Sequence, residues 1–229
     1  LARRTPRRGR WPAPATAPPV KAELRLRFRV GQAAVEWQSG EGGAFRKCRD
    51  KDLQAITEAF LCQTLSTSPE SERLVMLLLS NLNGPGASFE YERDAPLLRI
   101  VLSASGLTPL TVGPSDRPLL RADEPLRLEC IPPGQADGDY LIRLALPGGG
   151  TPGPLLGVLP GAPDWLYLTH DTVYRGPPHH GLTAESEVLV PAAAVESREG
   201  YRFLRAKRIP IPPRLAARKF RAPALPQEP

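Results

Sequence analysis

The chain has 229 residues and a mass of 24.9 kDa, enough for one large or two small domains, and a compact chain of this size hides roughly 70% of its unfolded surface. Pro 28 and Gly 20 together make up about a fifth of it, below the roughly 25–30% of low-complexity chains, and the longest apolar run, Leu74 to Leu79, is far short of the roughly 20 residues that span a bilayer. A turn-rich folded protein with no transmembrane helix is expected, and its net charge of +6 is unevenly spread.

Residues 1–20 hold five Arg in the first ten positions followed by WPAPATAPPV, and read as a disordered basic, Pro-rich tail of extended, PPII-like conformation. The chain starts at Leu1 rather than Met, and this opening has no apolar signal-peptide core, so a piece of a longer protein is expected. From Leu24 the pattern changes. Leu24, Leu26, Phe28 and Val30 alternate with Glu23, Arg25, Arg27 and Arg29, the period of a strand with one face buried and a basic face in water. Gly31 ends it, Val35 to Gln38 return as a hairpin partner, and Ser39 to Gly43 form a turn.

A helical period follows. Asp50 caps a helix with Leu53, Ile56, Ala59 and Phe60 on one face. Ser68-Pro69 caps a second helix through Leu79, with Glu70 and Glu72 in its first turn, and Asn83 to Gly86 stops it. Asp94-Ala95-Pro96 starts a third with Leu97, Leu98, Val101 and Leu102 before Gly106, so residues 50–106 read as a small helical region. Beyond it the chain reads as short strands: Leu126 to Cys130, Tyr140 to Leu146, Leu155 to Leu159 and Trp165 to Thr169, between Pro/Gly turns. Pro191 to Val195 is a helical turn, Ser197 caps a helix carrying Tyr201 and Leu204, and Ile209 to Pro213 terminates it. The expectation is an α+β fold: a helical region, a β-rich body of mainly antiparallel strands and a short C-terminal helix. Its subregions are 21–120 (α+β) and 121–215 (β-rich), with 216–229 a second basic, Pro-rich tail.

The charge follows that division. Residues 1–29 carry a local +8 and residues 201–229 a local +7, whereas residues 30–200 carry −9. Basic ends on an acidic body track phosphates by counterion release or remain solvated arms. The phosphate-contact candidates are Arg25, Arg27 and Arg29 on the first strand, then Arg205, Lys207, Arg208, Arg218 and Lys219; for the strand the alternative is an ordinary solvated face.

Chemistry-bearing motifs are sparse. The dipeptide Gly-Lys does not occur, which removes a Walker loop, and neither GxSxG nor HExxH is present. Gly148-Gly149-Gly150 lies between prolines as a loop. Cys48, Cys62 and Cys130 form no CxxC pair, against a disulfide framework or a thiolate zinc site, so a reducing, cytoplasmic compartment is expected. His170, Asp171, His179 and His180 are the one concentration of metal-ligating side chains, but adjacent His179 and His180 point to opposite sides of an extended chain, and the cluster reads as loop residues. A small hydrolase using His170 and Asp171 is the minor alternative. Trp37, Trp165, Tyr167 and Tyr174 are either core aromatics or base-stacking groups. No catalytic residue, cofactor or metal ligand is assigned.

One resemblance is carried by an ordered set of segments. Tyr140 to Leu144, a Gly/Pro loop, Val158-Leu159-Pro160-Gly161, then Trp165 through Thr169-His170-Asp171 to Tyr174-Arg175-Gly176-Pro177-Pro178 resemble the region ahead of the motor in bacterial Swi/Snf-type DEAD/DEAH-box helicases, superfamily-two ATP-dependent DNA translocases. Ser197 to Leu204 with Ile211 to Leu215 resembles the end of that region, and Leu24 to Val30 with Val35-Glu36-Trp37 its beginning, so the likeness covers about residues 21–215. The family's activity resides in a Walker lysine, a DExH-type acid pair and arginine fingers, and no position here matches them. The resemblance therefore implies a non-catalytic N-terminal region that touches DNA, regulates a motor domain in cis or in trans, or binds a partner. The alternative is a stand-alone protein-interaction module with an acidic body and disordered basic tails.

Overall fold

The computed structural model describes residues 19–40, 42–80, 86–103, 110–112, 117–134, 138–178 and 187–217. In chain order they form β1 (Val20–Arg29), β2 (Gln32–Ser39), β3 (Arg46–Lys47), α1 (Asp50–Leu61), β4 (Leu65–Ser66), α2 (Pro69–Leu79), β5 (Ser88–Glu90) and α3 (Ala95–Ser103). Short strands follow: β6 (Leu110–Val112), β7 (Arg117–Pro118), β8 (Leu120–Arg121), β9 (Arg127–Ile131), β10 (Tyr140–Ala145), β11 (Gly157–Leu159), β12 (Trp165–Leu168), β13 (Thr172–Gly176) and β14 (Glu187–Val190). The described chain closes with α4 (Ala192–Val195), α5 (Arg198–Ala206) and α6 (Pro213–Ala216). The fold is α+β, with mainly antiparallel pairing and a short C-terminal helix.

The first sheet runs β3-β2-β1-β6-β7, with β4 beside β1 and β5 beside β2. Its centre is a hairpin whose connection is only Val30-Gly31, with Gly31 at φ 75°, a conformation open to glycine without steric cost. That tight turn fixes the register Leu26↔Val35 and Arg25↔Glu36. Leu24, Leu26 and Phe28 are fully buried under α1, α2 and α3, which contribute Leu53, Ile56, Leu74, Leu78, Leu98 and Val101. Between the short stretches where β1 meets β4 and β6, the Ser71 hydroxyl of α2 meets the strand: it accepts from the Leu24 N–H (2.9 Å) and donates to the Glu23 carboxylate (2.7 Å), with the Leu24 carbonyl 3.2 Å away.

Helix starts are set by polar side chains. The Ser68 hydroxyl accepts from the Ser71 N–H at the head of α2, with Pro69 in the first turn, and the Ser197 hydroxyl accepts from the Gly200 N–H (2.9 Å) at the head of α5. For α1 the expectation needs correction: Arg49 is the N-cap, and the Asp52 carboxylate accepts from its backbone N–H (3.1 Å). Asp50 instead accepts from the Ala87 N–H (3.2 Å), tying the helix to the chain ahead of β5. The stop at Asn83–Gly86 and the end at Gly106 fall largely outside the described residues, and α6, started by Pro213, was not expected.

The second sheet is β14-β10-β9 and the third β11-β12-β13-β8. The third has two packed faces. Leu159, Leu166, Leu168 and Val173 belong to the core beneath the first sheet, while Val158, Trp165, Tyr167 and Tyr174 pack into a second core with Leu128, Tyr140, Leu144, Leu204 and Leu215. Burial on both sides explains why residues 165–169 read as an almost unbroken apolar run. The first interface is close: a Cβ on Gly157 would lie 2.0 Å from a Tyr91 ring carbon. Tyr91 is pinned there by stacking on Phe28 and by donating to the Arg29 carbonyl. No described helix is long and apolar enough to cross a membrane.

Candidate nucleic-acid interface

The strand arginines do not form the expected basic face in water. Arg25 and Arg27 are 6% and 5% exposed and converge on Glu36, itself 5% exposed. The Arg25 Nε donates to Glu36 Oε2 (2.8 Å), Arg27 Nε lies 2.7 Å from Oε1, and the Arg25 guanidinium stacks 4.1 Å from the Phe45 ring centroid. Only Arg29, with its side chain 53% exposed, remains open, and its Nη2 still reaches Glu36 Oε1 at 3.3 Å. The physical reason is the hairpin register, which sets Glu36 opposite Arg25 and gives the face an internal anion. Alternation alone is the same for a solvated face and for a buried ion-pair face; the two-residue turn, counted out to residue 36, carries the missing signal.

The C-terminal cations have the opposite environment. Arg205 and Arg208 are exposed and Lys207 is half-buried at the end of α5. Structure adds Arg198, Arg202 and Arg214, all exposed. Spacings of four and three residues place Arg198, Arg202 and Arg205 on one flank of α5, about 10 Å long. Among the described residues none of these six cations lies in an ion pair, in contrast to Arg25 and Arg27. The helix is held in place by Leu204, Ile209 and Leu215, all buried in the second core. Arg208 turns the chain out of the helix with φ 54°. Arg218 and Lys219 lie outside the described residues.

The remaining candidates form no assembled site among the described residues. His170 and Asp171 form the tip of the β12–β13 hairpin, where Asp171 accepts from the Thr172 hydroxyl (2.9 Å); among the described residues no hydrogen bond joins the two. His179 and His180 lie outside the described residues, and within these there is no group of three or more metal-ligating side chains. Tyr167 is fully buried, Trp165 and Tyr174 pack on the second core, and Trp37 packs on the first core beneath Arg46, so these aromatics offer core contact rather than stacking platforms. The Cys48 thiol is pushed up to about 12, first by burial and then by Asp52 and Asp50, which keeps it protonated and unreactive.

Comparison with known proteins gives no match to a family model, a curated protein or a solved structure.

Proposed function

We propose that this chain is a non-catalytic accessory region, resembling the N-terminal part of bacterial Swi/Snf-type helicases, that contacts the DNA backbone through α5 and the turn after it. The observation that carries the reading is the set of six cations from Arg198 to Arg214, three of them on α5 and three after it, which have no carboxylate partner among the described residues and sit on elements anchored in the second core. Such groups gain from releasing the counterions of a phosphate backbone, whereas Arg25 and Arg27 already hold a carboxylate. The ordered set of segments from Tyr140 to Leu215 supports the family side of the reading, and through it a motor domain in cis or in trans as the partner being served. The chain acts by binding; the ATP-driven step belongs to that motor.

The test is fluorescence anisotropy with labelled double- and single-stranded DNA over a salt series. It compares the full chain, a chain lacking residues 1–20, and Arg198→Ala/Arg202→Ala/Arg205→Ala. Removing three phosphate contacts lowers the slope of log affinity against log salt by about 2.7. A slope that the triple substitution leaves unchanged refutes the reading.

A second reading, a stand-alone protein-interaction module, is favoured by one observation: an apolar groove beside the half-exposed Phe203.

A further inference from the structure

We propose that this groove, between β10–β14 and α4–α5, binds an acidic amphipathic peptide. It has a volume of about 390 Å³ and is walled by Ile142, Val190, Ala194, Val195, Phe203 and Leu204, which makes room for one or two apolar side chains. Phe203 stands at its rim, 51% exposed, an aromatic poised to be covered by a partner. The charge around the groove selects the partner's sign. Residues 191–217, which supply one wall of the groove, carry the six cations named above against two acids, Glu196 and Glu199, whereas residues 30–200 as a whole carry a local −9. An apolar anchor in the groove therefore sets neighbouring carboxylates of the same peptide within reach of guanidinium groups at the edge of α5. Glu199, the charged residue among the described lining, is the one position that disfavours a ligand carboxylate.

The two surfaces of α5 are separable. Glu199 and Phe203, four residues apart, share the flank on the groove, and Arg198, Arg202 and Arg205 share another. Substitutions in the groove thus probe peptide binding without touching the cations assigned to DNA.

The probe is a fluorescein-labelled helical peptide of Asp/Glu with Leu at helical spacing. One control has every Leu replaced by Ser, and another keeps Leu but has Lys for every acid. With the full chain, the acidic apolar peptide binds at least about tenfold tighter than either control, equivalent to about 1.4 kcal/mol. Phe203→Ser and Ala194→Gln, both at exposed positions, each remove most of that advantage with duplex DNA affinity unchanged, and Glu199→Gln strengthens it. Equal binding of the Ser control means charge alone and overturns the proposal. So does equal binding of the Lys control, or binding of none of the peptides. Groove substitutions that weaken DNA binding as much as peptide binding make the groove part of a nucleic-acid surface, and also overturn it.

Discussion

Glu36→Gln is the sharpest perturbation of this fold. The carboxylate stands between two guanidinium groups whose side chains are 7% and 6% exposed, with Arg25 Nη2 at 2.7 Å and Arg27 Nε at 2.7 Å. The amide keeps the volume and removes the charge, so two buried cations lose their shared anion, a change that costs about 3–5 kcal/mol at sites of this kind. Against a total stability of about 5–15 kcal/mol that is a large fraction. With a urea m-value of about 2 kcal/mol/M, the midpoint followed by circular dichroism falls by about 1.5–2.5 M with m unchanged. Arg29→Ala, which removes the half-exposed member, costs no more than about 1 kcal/mol. The replacement Arg25→Met/Arg27→Met/Glu36→Leu is near neutral or stabilising, since it removes all three desolvation penalties together. A Glu36→Gln midpoint equivalent to within about 1 kcal/mol of the parent refutes the assignment of this carboxylate as the charge holding the strand face closed.

Other substitutions test the packing and the caps. Gly157→Ala drives a methyl group into the pinned Tyr91 ring and lowers stability by about 1–3 kcal/mol or more, read as a fall in thermal midpoint. Ser197→Ala removes the acceptor for the Gly200 N–H, costs about 1 kcal/mol and weakens DNA binding by fraying the first turn of α5, where Arg198 sits. Maleimide alkylates the exposed Cys62 at once, whereas Cys48 reacts only at the rate of unfolding, and raising the pH to 9 does not speed it. The sign for stability follows: the folded-state value of Cys48 is raised, so its contribution is complete below the ordinary thiol range and is lost as pH rises from about 9 toward about 12.

Local features of this fold were legible because local chemistry makes them. Ser68-Pro69 and Ser197 announce α2 and α5 through the donors that a helix start leaves open, and the period of two in residues 24–30 announces β1. What lies on either side of a strand is set by distant partners. The parallel pairing of Leu26–Phe28 with Leu110–Val112 joins segments more than 80 residues apart, and nothing local to either encodes it. At the site the deciding partner is nearer, one hairpin turn away, but it is equally invisible to the period of a single strand. Arg25 and Arg205 are alike as residues, and only the anion across the hairpin separates a buried structural cation from one open to a ligand.

The third sheet has a mechanical consequence. Leu166 and Tyr167 are chain neighbours, yet each belongs to a different core, so the strand between them is a wall common to both. Loosening the β12–β13 hairpin strips one side of each core at once, and neither half keeps a complete hydrophobic interior when the other melts. Calorimetry of the intact chain accordingly records one cooperative heat-absorption peak, with equal van't Hoff and calorimetric enthalpies. A protease cut at the hairpin tip, between His170 and Asp171, releases both cores together rather than freeing one lobe.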